Sequence, residues 1–92
     1  MKLDKKFYAD VVYIRKAKDH SIVPDDEWVV FLAKDNAFAA VLPAYRRELI
    51  AMGADDEQLE AVTRLIDDVT AWRLANPERC KVPDAKGEKL LP

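Results

Sequence analysis

Residues 52–58 read MGADDEQ, and these seven positions decide the fold. Gly53 suits the left-handed residue that closes one helix. Asp55, with Gln58 three positions on, suits the N-cap and N3 of the next. Asp56 and Glu57 put negative charge on that helix's first turn, where the peptide dipoles favour it. A connection as short as Gly53-Ala54 makes the flanking helices antiparallel neighbours.

Downstream, Leu59, Val62, Leu65, Ile66, Val69 and Trp72 repeat at helical spacing until Asn76-Pro77 stops the pattern. Glu60, Arg64, Asp67 and Asp68 occupy the opposite face, with Glu60 and Arg64 paired at i, i+4. Upstream, Asp35 is the expected N-cap of a helix reaching Met52, and Phe38, Val41, Leu42, Tyr45, Leu49 and Met52 form its apolar stripe. Pro43 lies well inside this helix and predicts a kink near Ala39. The reverse side is also poor in charge: Ala39, Ala40, Ala44, Ile50 and Ala51 are interrupted only by Arg46, Arg47 and Glu48. A helix apolar around most of its circumference is buried on more than one side. Either this helix is the central one of the domain, or its Ala-rich face, with Ala40, Ala44, Ile50 and Ala51, meets another subunit. The same flank bare in a lone subunit would remove that argument.

Towards the N-terminus the chain writes one phrase twice: VVYIRKAKD over 11–19 and VVFLAKD over 29–35. Val11–Ile14 and Trp28–Leu32 have strand length and composition, and together they predict a two-stranded antiparallel ribbon supported by the helical hairpin. The rival is helical, with Phe7, Val11 and Ile14 on one face and Pro24-Asp25-Asp26-Glu27 as a first turn. The predicted class is thus α+β, mainly α: a hairpin of about 36–52 and 55–76, an N-terminal ribbon and a C-terminal arm. An all-α bundle is the alternative. Residues 1–76 are read as one small domain and 77–92, with three prolines and one glycine in sixteen residues, as an extended arm ending in Leu90-Leu91-Pro92.

Composition narrows the function. The chain of 92 residues is 50% hydrophobic and 35% charged with a net charge of −2, which is globular and lacks the basic surplus of a nucleic-acid binder. Charge is uneven: residues 1–20 hold six bases and three acids, residues 54–76 two bases and six acids. The single cysteine, Cys80, excludes an internal disulfide, and no stretch reaches the ~20 apolar residues of a membrane span. A cytoplasmic protein is expected.

No residue set points to catalysis. His20 and Ser21 are adjacent, and sequence neighbours make a poor nucleophile–base pair. Histidine and cysteine are too few for structural zinc, and the acidic clusters 25–27, 55–57 and 67–68 fit element starts or a solvated helix face. With only Gly53 and Gly87, no phosphate loop is available. No enzyme activity, cofactor or metal is expected. Arg46 and Arg47, with Tyr45 and Lys34, are the candidates for an anionic or nucleotide ligand, since guanidinium suits carboxylate and phosphate.

Residues 25–38, DDEWVVFLAKDNAF, followed by a Tyr-bearing helix, the MGAD turn and NPERCKVPD over 76–84, resemble short proteins of bacteriophages and prophages to which no activity is attached. Trp28 stands where that pattern has proline. The resemblance carries no functional residue across. It implies an accessory role, such as interference with a host system. The missing catalytic set and the apolar excess of the central helix lead to the expectation of a non-enzymatic, oligomeric protein-interaction module. The alternative is an oligomeric binder of a small anion.

Overall fold

Asp35 opens the first helix as its side chain predicts. In the computed structural model, which describes residues 1–8, 10 and 13–84, its Oδ1 accepts the N–H groups of Ala37 (2.7 Å) and Phe38 (3.0 Å). Helix α1 spans Asn36–Ala51 and continues through Pro43. Its end is a Schellman motif: Gly53 takes φ +78°, its N–H donates to Ile50, and the Ala54 N–H donates back to Leu49. Helix α2 then spans Asp56–Ala75, with Asp55 Oδ1 accepting the Gln58 N–H at 2.8 Å.

The two helices form a hairpin, and its hydrogen bonds give the direction. Arg46 Nε donates to Thr63 Oγ1 at 2.9 Å, and Arg73 Nη2 donates to Asn36 Oδ1 at 2.7 Å. Stepping back along α1 means stepping forward along α2, so the helices are antiparallel. Arg73 Nη1 also donates to the Ala33 carbonyl, which clasps the approach to α1 against the end of α2. Residues Pro77–Arg79 make a 3₁₀ turn. Lys81 then pairs with the same approach: its N–H donates to Lys34 O and its carbonyl accepts from Asn36 N, a single parallel bridge between Asp35 and Lys81.

The chain divides into two compact units. Phe31–Pro83 is the helical one, and Met1–Val30, with Asp84, is the other. Within the N-terminal unit, Ile14–Val23 is a tight hairpin bridged at Arg15 and Ile22, with Lys16 N donating to Ser21 O and Val23 N to Ile14 O. Its loop closes at His20, whose φ of +63° is tolerated better by His than by most side chains. Asp19 Oδ1 accepts the Ser21 hydroxyl and then its N–H, which together hold the Asp19 carboxyl below its usual value.

The ribbon predicted between 11–14 and 28–32 is corrected. Residues 28–32 form no strand, and the partner of Ile14-Arg15 is Ile22-Val23, only a loop away. Val11 and Val12 lie outside the described residues, as do 85–92 with the Leu90-Leu91-Pro92 ending. The physical reason is visible at Val30. Its N–H, which a partner strand would need, donates to Asp4 Oδ2 at 2.7 Å. Asp4 is 7% exposed, and its Oδ1 accepts the N–H groups of Lys6 and Phe7. Burial alone would raise the Asp4 carboxyl, but the Val30, Phe7 and Lys6 donors and the nearby Lys2 outweigh it and hold it below the ordinary value. Pro24–Glu27, the rival first turn of a helix, is one isolated turn closed by the Glu27 N–H on Pro24 O. The described chain is therefore mainly helical.

Candidate functional site

The hairpin buries little. Leu42 on α1 and Val62 and Val69 on α2 are the buried hydrophobic residues among those described. Phe38, Leu49, Leu59, Ile66 and Trp72 are half-buried around them. The remainder of both apolar stripes is open: Val41 is 56% exposed, Tyr45 51%, Met52 76% and Leu65 43%. These are corrections to the sequence reading, which placed all four on core stripes. A single neighbouring helix covers only a narrow sector, and the stripes are wider than that sector.

The open residues share one side. At 100° per residue Val41, Tyr45 and Met52 fall within about 40° of each other, and their sector is offset by about 80° from Leu42. Leu65 and Trp72 on α2 are offset in the same sense, by about 60°, from the Val62–Val69 seam. Equal-sense offsets on antiparallel helices place both flanks on the same side of the hairpin. Phe31 extends this side at one end. Its ring stacks on Phe38 at 5.3 Å with an interplanar angle of 1°, and it is itself 60% exposed. From Phe38 to Met52 the face is about 21 Å long at 1.5 Å per residue. Trp72 is partly covered by the Arg79 guanidinium, 4.9 Å from the ring centroid.

The alanine flank behaves differently. Ala40, Ile50 and Ala51 are exposed and Ala44 is half-buried. Exposed alanines on a helix need no partner. On this flank Ile50, 51% exposed, is the one large apolar side chain left open, whereas the opposite flank leaves Val41, Tyr45 and Met52 uncovered together.

The proposed anion set is dispersed. Arg46 lies over α2, donating to Thr63, whose hydroxyl passes a hydrogen bond on to Leu59 O at 3.0 Å. Arg47 is exposed 100° around the helix from it. Tyr45 belongs to the open apolar face. Lys34 precedes the N-cap, twelve residues and about 18 Å from Arg46 along the helix direction. Arg46 and Arg47 are adjacent in sequence but serve different sectors, and the four residues do not converge.

The other sequence candidates are locally satisfied. The Ser21 hydroxyl donates to Asp19, not to His20, and the His20 carbonyl accepts from Arg15. Cys80 is half-buried, and its thiol donates to the Asn76 carbonyl at 3.4 Å. Among the described residues no group of three or more His, Cys, Asp or Glu is placed to hold a metal ion, and no helix is long and apolar enough to cross a membrane. Comparison with protein-family models, curated proteins and solved structures finds no match to this chain.

Proposed function

We propose that this chain is a small interaction module that pairs with a second copy of itself through the open face of its helical hairpin. One observation carries the reading: Phe31, Val41, Tyr45, Met52 and Leu65, each between 43% and 76% exposed, stand on one side of two helices that bury only three hydrophobic residues. Two hairpins stacked by this face make a four-helix bundle, which supplies the core that a chain of this size lacks alone. Tyr45 and Trp72 are the aromatic anchors such an interface favours. The role is binding rather than a reaction. The likeness of residues 25–84 to phage and prophage proteins supports an accessory role for the assembly, directed at a host protein. The anion-binding alternative has no juxtaposition of residues to support it.

Sedimentation equilibrium from 1 to 100 µM tests the reading. The native chain is expected to be dimeric at the upper end, and the double variant Tyr45→Glu, Leu65→Glu monomeric with its helix content retained. A native chain that stays monomeric throughout would sink the proposal.

A further inference from the structure

The N-terminal unit contains an open cleft of ≈ 510 Å³, lined by Lys2, Tyr8, Asp10, Tyr13, Asp25 and Trp28 together with aliphatic residues of the 14–23 hairpin. Its volume lies within the range of small-ligand sites. We propose that this cleft binds an alkylammonium group, and that the chain's own Lys2 occupies the site when no ligand is present.

The first observation is the seat of Lys2. Its Nζ lies 4.8 Å from the Tyr8 ring centroid and 5.9 Å from that of Trp28, within the distance at which a cation is attracted to an aromatic face. The second is the sign of the lining. The rings of Tyr8 and Trp28 turn their negative faces to Lys2, and Asp10 and Asp25 add two carboxylates to the lining, so an anion is repelled and a cation attracted. Tyr13 repeats the preference, with the Arg15 guanidinium 5.8 Å from its ring. The third is that Lys2 can leave without unfolding its surroundings. The backbone is anchored one residue later, where the Leu3 N–H donates to Asp25 O at 3.0 Å, and the four-carbon side chain rotates independently of that anchor. A quaternary ammonium is the better fit to such rings, since it sheds water more easily than the ammonium of lysine. Choline-like small molecules and trimethylated lysine side chains both present that group.

The test follows the Trp28 indole N–H resonance during titration of the full chain with choline, with its uncharged isostere 3,3-dimethylbutan-1-ol, and with a short peptide carrying trimethyl-lysine. Saturable binding of choline but not of the alcohol is expected. Lys2→Ala should tighten it about tenfold by removing the tethered competitor. Tyr8→Leu in that background, which keeps the Trp28 probe, should weaken it at least tenfold. A peptide that binds more tightly than choline identifies a protein side chain as the source, and equal affinity identifies a free small cation. Lys2→Gln serves as a second variant that keeps the stem and loses the charge. The proposal is overturned if the alcohol binds as well as choline. It is equally overturned if neither Lys2 variant binds the ammonium probes, or if both lose the dispersed Trp28 resonance, because Lys2 is then structural.

Discussion

The Asp4 carboxylate accepts the Val30 N–H at 2.7 Å across 26 positions of sequence, so a single side chain holds together the two ends of the N-terminal unit. The same carboxylate takes the Lys6 and Phe7 N–H groups. Asp4→Ala leaves three part-buried backbone donors without their acceptor. A loss of about 1.5–3 kcal/mol is expected, the range for charged hydrogen bonds. Urea unfolding followed at Trp28 should show it, with the helical circular dichroism of α1 and α2 preserved at low denaturant. A change below about 0.5 kcal/mol would contradict the role given to Asp4.

The pH dependence follows from the direction of the same group. The Asp4 carboxyl is lower in the folded chain than the ~3.9 of an unfolded aspartate. The unfolded state then binds the proton more readily, so the contribution of Asp4 is fully present above about pH 4 and is lost as pH falls through the folded value. Asp19 is shifted in the same direction, first by the Ser21 hydroxyl and then by its N–H, and adds to the same acid limb. Stability measured from pH 6 to pH 2 should decline more steeply for the native chain than for Asp4→Asn. Parallel curves would refute the assignment.

Gly53 isolates backbone strain from packing. It holds φ +78°, and a Cβ built there meets nothing within 4 Å. Gly53→Ala therefore carries only the cost of a side chain in the left-handed region, about 1 kcal/mol. A Tm lower by about 4–8 °C is the expected reading for a domain of this size. An unchanged Tm would mean that the turn relaxes to another conformation.

Leu42 and Tyr45 occupy adjacent turns of α1 and should separate stability from association. Leu42 is 4% exposed, and Leu42→Ala is expected to cost about 2–3 kcal/mol in chemical denaturation. Tyr45→Ser removes an open side chain and should leave unfolding of the dilute chain within about 0.5 kcal/mol. Its effect belongs in sedimentation, where the dimer constant should weaken at least tenfold. Equal loss of folding stability in both variants would contradict the division into seam and open face.

Cap chemistry made the helical hairpin legible. Asp35, Asp55 and Gly53 each act on groups within five residues, so their roles can be read from spacing alone, and the helix ends fall where those residues stand. The apolar period showed that both helices carry wide stripes. It could not show which flank stays open, since that depends on where a distant segment lands. Arg73 illustrates the limit: its spacing places it in the last turn of α2, but its hydrogen bonds to Ala33 and Asn36 span 40 and 37 positions.

Residues 28–32 had the composition of a strand, yet strand identity requires a partner for each backbone donor. Asp4 took the Val30 donor, and the short loop 17–20 gave Ile14-Arg15 a nearer partner. Local order, the caps, turns and helical periods, was written in the chain because it depends on neighbours a few bonds away. The open face at Val41, Tyr45, Met52 and Leu65, and the cleft that seats Lys2, came only from the tertiary structure, because burial is settled by contacts between residues that sequence distance does not relate.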